Sequence, residues 1–174
     1  MSENKIFSLK VIIIGEPAVG KTSLVKKFVL GQFSKDYRSS IGTNIFTKQI
    51  DLKKDSKASV QLWDIAGQER WVKMRHVYYR GARGVIIVGD LTRKNTFDQI
   101  EEFWIPDIKQ YCSKAPIILL ANKNDLKKEL NEKDISLLSE RINSTAVLFT
   151  SAKTGENVEK AFKLISEHAV EIFH

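Results

Sequence analysis

Val11-Ile12-Ile13-Ile14 runs directly into Gly15-Glu16-Pro17-Ala18-Val19-Gly20-Lys21-Thr22, and helical sequence follows over Lys21–Leu30. Four branched apolar residues in a row predict a strand buried on both faces of a sheet. The next eight residues fit G-x-x-x-x-G-K-[ST], between a strand and a helix as that pattern requires. Glycine lets backbone wrap closely around phosphate, and the loop N–H groups and the helix N-terminus point at negative charge. Lys21 is expected to reach the β- and γ-phosphates of a nucleotide. The Thr22 hydroxyl is expected on Mg²⁺, a hard cation that takes oxygen ligands. Gly15, Ala18, Val19, Gly20, Lys21, Thr22 and Ser23 are thus the expected phosphate contacts.

Outward from this stretch, short apolar runs alternate with helical periodicity. The further runs are residues 60–63, 85–88, 117–120 and 147–149, each read as a strand buried on both faces. Phe97, Ile100, Phe103, Trp104 and Ile108 share one helical face; Val158, Ala161, Phe162, Ile165 and Ile172 share another. Residues 45–52 read as an extra strand, forming a hairpin with 60–63 through the polar turn 53–57. The order predicts an α/β sandwich, mostly parallel, with one antiparallel strand. There is no internal repeat and no low-complexity linker, so residues 1–174 are read as a single domain.

Three further runs end in unusual polar clusters: Asp64-Ile65-Ala66-Gly67-Gln68, Asn122-Lys123-Asn124-Asp125 and Ser151-Ala152-Lys153. Ligands bind at the carboxyl ends of parallel strands, so clusters far apart in sequence are expected at one edge. Asp64 is expected to hold a magnesium-bound water. Gly67 allows its N–H to approach a γ-phosphate unobstructed. Guanine offers N1–H and a 2-amino group side by side, and one carboxylate, Asp125, can accept both. Adenine lacks the amino group and has an acceptor at N1. Sites built on such bonds reject the wrong partner by ~10⁴–10⁵. Asn122 would tie this loop to its neighbours, the Lys123 stem would pack on the base plane, and Ala152 would offer its N–H to the guanine oxygen.

Bulk composition narrows the remaining classes. At 43% hydrophobic residues the chain can build a core without disulfides. The one cysteine, Cys112, excludes an internal disulfide, fits a cytoplasmic compartment, and reads as a buried or half-buried helix residue. The net charge of +7 is spread over scattered or paired lysines, which favours solvation over a nucleic-acid site. No apolar run approaches the ~18 residues needed to cross a bilayer, and there is no signal-peptide core.

Together these residues resemble the Ras superfamily of small GTPases, most closely its Rab branch, over essentially the whole chain. Trp63-Asp64-Ile65-Ala66-Gly67-Gln68-Glu69-Arg70 looks like the Rab switch II signature, and Tyr78-Tyr79-Arg80-Gly81-Ala82 is a further Rab-type string. The resemblance implies the Ras-like P-loop NTPase fold: a three-layer sandwich whose six-stranded, mostly parallel sheet has one antiparallel strand and five flanking helices. It implies a monomer cycling between GTP and GDP, with exchange factors, GTPase-activating proteins and effectors acting through residues 34–46 and 65–78, in membrane traffic or signalling. Carried over by position, Gln68 orients the attacking water, Phe33 lies against the guanine, Tyr37 stands near the phosphates, and Trp63 is read by effectors. Ser40 takes the switch I position that binds magnesium and γ-phosphate, and Ser151, Ala152 and Lys153 complete the base site.

The chain also departs from the family. Ser40 replaces threonine, and Thr43 stands as an alternative ligand. Pro17 and Ala18 occupy loop positions where glycine or serine is common, and proline has no N–H. Ile45 replaces an effector-contacting phenylalanine, with Phe46 one step later, and Trp71 replaces the usual phenylalanine. Rab proteins end in a tail with prenylated cysteines, their only hold on a membrane. No cysteine follows Cys112, so that tail is expected to be absent or removed. The leading expectation is a slow GTP hydrolase switch; a GTP-binding scaffold with little hydrolysis is the alternative.

Overall fold

The computed structural model describes residues 5–33, 42–53, 55–67 and 72–174. Six strands run as β1 (Ile6–Ile14), β2 (Thr43–Asp51), β3 (Lys57–Ile65), β4 (Gly84–Asp90), β5 (Ile117–Asn122) and β6 (Ala146–Phe149). They form one sheet in the order β2-β3-β1-β4-β5-β6. Among the described residues only the β2–β3 pair is antiparallel. The helices are α1 (Lys21–Leu30), α2 (Val72–Tyr79), α3 (Lys94–Gln99), α4 (Ile105–Lys109), α5 (Glu132–Arg141) and α6 (Val158–Phe173). A π-helical stretch, Ile100–Trp104, joins α3 to α4 in one rod, leaving five helical bodies among the described residues.

Strand residues alternate between faces, so the continuous apolar runs supply two cores at once. Val11, Ile13, Ile86, Val88, Ile118 and Leu120 face α1 and α6, where Phe28 stacks on Phe162 at 4.3 Å between ring centroids. Ile12, Ile14, Val85, Ile87, Leu119 and Ala121 face the α3–α4 rod and α5, against Phe97, Trp104 and Leu138. The sandwich is thus three layers deep. Local signals help to place the helices: Gly31 ends α1 in the left-handed region at φ 68°, and Asn131 with Asp134 forms a capping box on α5.

Several sequence expectations need correction. β1 begins five residues before its apolar run, because Phe7 and Leu9 alternate inward with exposed Ile6 and Ser8. Residues 60–63 are buried on one face only: Val60 and Leu62 point inward, Gln61 is exposed and Trp63 is half-buried. Residues 147–149 form an edge strand that the helices cover only partly, and all of β6 is half-buried. Lys57 opens β3 opposite Asp51 rather than lying in the turn, which Leu52 N–H closes onto the Ser56 carbonyl. The face through Phe97 and Ile108 is interrupted by the π turn, which leaves Phe103 half-buried toward α2. Cys112 lies past the end of α4, not within a helix, though it is buried and its thiol donates to the Tyr79 carbonyl at 3.3 Å.

Candidate nucleotide site

The loop between β1 and α1 is shaped by backbone that only glycine tolerates. Gly15 has φ +143°, and a Cβ there would lie 2.4 Å from the Val88 carbonyl oxygen. Gly20 has φ +103°, and its Cβ would lie 2.3 Å from Asn122 Nδ2. Five successive loop carbonyls each accept a side-chain hydrogen bond. Lys21 Nζ donates to Gly15 and Glu16, both at 2.8 Å. Arg93 Nη2 donates to Pro17, Lys123 Nζ to Ala18, and Asn122 Nδ2 to Val19, each at 2.9 Å. In a trans peptide the N–H points opposite to the carbonyl before it. Fixing the carbonyls therefore fixes the N–H directions of a concave, anion-accepting loop. Lys21 is only 6% exposed; burial lowers its pKa to about 8, opposed by Asp64 and Glu16 and reinforced by Arg93.

At the end of β3, Asp64 is fully buried. Its Oδ2 accepts the Thr22 hydroxyl at 2.5 Å, while its Oδ1 is buried with no hydrogen bond. Burial raises its pKa, and the Thr22 hydroxyl, Lys21 and the Asn44 side chain pull it back. A buried carboxylate oxygen without a donor, beside a hydroxyl and at the foot of a phosphate-type loop, fits a hydrated hard cation. Thr22 and Asp64 could hold magnesium there. Gly67 packs directly on the loop, since a Cβ would lie 2.4 Å from the Gly15 oxygen and 2.7 Å from the Pro17 nitrogen.

The ends of β5 and β6 build the neighbouring wall. Asn122 is buried; its Oδ1 accepts from Thr150 Oγ1 at 3.1 Å, so its amide is oriented from both sides. Lys123 adopts φ +65° and turns its ammonium back to Ala18. Asp125 is exposed and its Oδ1 accepts the Ser151 hydroxyl at 2.7 Å. The Ser151 oxygen in turn accepts the Thr154 N–H at 3.1 Å. Ala152 is buried and Lys153 exposed. Ser23 is half-buried in the first turn of α1, and Phe33 is 38% exposed just beyond Gly31. The structure thus gathers the strand-end clusters of β1, β3, β5 and β6 at one edge. Tyr37, Ser40 and Gln68 lie outside the described residues, as does Trp71.

Residues 10–171 match the Ras family. The chain is 35% identical to "Ypt/Rab-type GTPase YPT7" of Saccharomyces cerevisiae over 98% of its own length and 86% of the relative's. It is 37% identical to "Ras-related protein Rab-19" of Homo sapiens, covering 97% of this chain and 78% of that one. It is 36% identical to "Ras-related protein Rab7" of Drosophila melanogaster over 99% and 85%. The chain belongs to the Ras family. It is a Rab-like small GTPase, a GTP-binding protein and GTP hydrolase on a P-loop α/β fold.

Two features of this GTPase escaped the sequence reading. The run 85–88 ends in Gly89-Asp90, and Asp90 proves to be a buried hub. It takes Lys123 Nζ at 2.7 Å, Arg93 Nε at 3.0 Å, and the Thr92 N–H and hydroxyl at 2.9 and 2.7 Å. Burial raises its pKa, but Lys123, Thr92 and Arg93 together leave it below the usual carboxylate value. The available signal was an Asp closing a strand, the same signal that pointed to Asp64. Second, Trp104 Nε1 donates to Glu16 Oε1 at 2.9 Å and ties the phosphate loop to the π turn. Nothing local in the sequence announces that contact across 88 residues.

Proposed function

We propose that this GTPase, one G domain across residues 1–174, is a timed switch: it holds guanine nucleotide with magnesium and slowly converts GTP and water to GDP and phosphate. The observation that carries this is the meeting, at one sheet edge, of the carbonyl-braced loop, the Thr22–Asp64 pair and the Asp125–Ser151 pair. The loop N–H groups and Lys21 would take the β- and γ-phosphates. Magnesium would be held by Thr22, by Ser40, and through water by Asp64; when bound it neutralises charge on the phosphate oxygens. Asp125 would accept the guanine N1–H and 2-amino protons, Ala152 N–H would meet the guanine oxygen, and Phe33 and the Lys123 stem would flank the ring. Ser151 keeps Asp125 aimed, and Asn122 ties the base wall to the phosphate loop.

Lys21 stabilises charge moving onto the β–γ bridge, and Gln68 orients the attacking water. Turnover is expected to be slow, because the sequence offers no evident arginine finger for the transferring phosphoryl group, so a partner is expected to supply one. Exchange factors, activating proteins and effectors would act through residues 34–46 and 65–78, and the setting would be the cytosolic face of a membrane in vesicle traffic. Exposed apolar side chains on β2 and α2 support a protein-binding face there. Ile45 is 53% exposed and pairs across the hairpin with half-buried Trp63, while Met74 and Val77 on α2 are 45% and 50% exposed. No helix among the described residues is long and apolar enough to cross a membrane.

The test is single-turnover conversion of preloaded GTP with Mg²⁺, in wild type and Gln68→Leu. Slow conversion, further slowed at least ~10-fold by the substitution, is expected. Tight retention of GTP with no conversion in either protein would overturn the timed-switch mechanism.

A further inference from the structure

We propose that Arg93 is a positioning residue of the phosphate loop, holding the Pro17 carbonyl and so setting how firmly the diphosphate of a guanine nucleotide is retained. This rests on the guanine-nucleotide reading and adds a residue outside the nucleotide motifs. The Arg93 guanidinium bridges two elements: Nη2 donates to the Pro17 oxygen at 2.9 Å and Nε to Asp90 Oδ2 at 3.0 Å. Its anchor is rigid, because Asp90 is fully buried and takes two hydrogen bonds from Thr92 and one from Lys123. Lys123 uses the same carboxylate while donating to the Ala18 oxygen. One buried carboxylate thereby seats two cations that hold two successive loop carbonyls.

Those two carbonyls lie where the loop most needs support. Pro17 contributes no N–H of its own. Ala18 adopts φ +62°, a left-handed conformation that costs a residue with a Cβ. Because N–H and the preceding carbonyl oppose each other across a trans peptide, Arg93 aims the Ala18 N–H and Lys123 aims the Val19 N–H. These are the first donors the loop can offer to phosphate after the gap at Pro17. A lysine at 93 would bring one ammonium in place of the two separate donors, Nε and Nη2, that meet Asp90 and Pro17.

Release of fluorescently labelled GDP from the full chain would be compared among wild type, Arg93→Ala and Arg93→Lys, with GDP, GMP and ADP as competitors. Arg93→Ala is expected to release GDP about 3- to 10-fold faster, with Arg93→Lys between the two. The weakening is expected for GDP but not for GMP, which lacks the β-phosphate that the loop cradles. Arg141→Ala, which removes a surface ion pair with Glu101, is expected to release like wild type. Unchanged release in Arg93→Ala, or equal weakening of GDP and GMP, overturns the inference while leaving the guanine-nucleotide reading intact. A wild-type protein that binds ADP as well as GDP, or neither, removes that reading and the inference with it.

Discussion

At the residue scale, chemistry here is set by where single side chains are prevented from moving. Asp125 is exposed, yet its carboxylate is oriented by the Ser151 hydroxyl, which the Thr154 N–H holds in turn. An oriented acceptor discriminates because the wrong base leaves polar groups unpaired. Asp125→Ala is expected to lower the preference for GDP over ADP by about 10²-fold or more, measured by competition binding. An unchanged ratio would place base selection elsewhere. Cys112, by contrast, is chemically quiet: burial pushes its thiol up to about 11, opposed by Lys10, so it stays protonated at neutral pH.

At the scale of elements, the contact between α2 and the α3–α4 rod carries an oddity. Arg75 is 2% exposed, with its guanidinium 4.7 and 4.8 Å from the Phe103 and Trp104 ring centroids. Its Nε lies 3.5 Å from Asp107, and Nε and Nη2 make no hydrogen bond. Desolvating such a cation costs about what a long ion pair returns, so a well-packed apolar replacement is often neutral or better. Arg75→Met is therefore expected to leave unfolding stability within about 1 kcal/mol of wild type, or to raise it. Asp107 keeps its bond from the Tyr79 hydroxyl in that variant. A loss above about 3 kcal/mol in denaturant unfolding would show that the cation–π contacts outweigh the desolvation. The π turn itself was not legible: its residues keep helical spacing, and only the neighbouring helix reveals that Phe103 leaves the buried face.

At the scale of the whole molecule, Asp90 and Asp64 oppose each other in pH dependence. Asp90 has a lowered folded pKa, so the unfolded chain binds its proton first; its contribution is present above roughly pH 4 and lost as pH falls through the folded value. Asp64 has a raised folded pKa, so its burial costs stability at neutral pH and the cost eases on acidification. Asp90→Asn is expected to lower stability at pH 7 and to flatten the acid limb below pH 4, read as unfolding free energy against pH. A parallel acid limb in the variant would deny Asp90 that role.

The apolar runs and the residues that end them were enough to determine an α/β sheet with its strand-end clusters on one edge, because strand burial and phosphate-loop chemistry are local demands on residue type. The antiparallel hairpin was legible for the same reason. The half-burial of Trp63 and of β6 was not, since it depends on which strand is at the edge and how far the helices reach over it. Nor were Arg93 and Trp104 legible as supports of the loop. Their contacts cross 76 and 88 residues of chain, so only the folded sheet and rod bring them to Pro17 and Glu16.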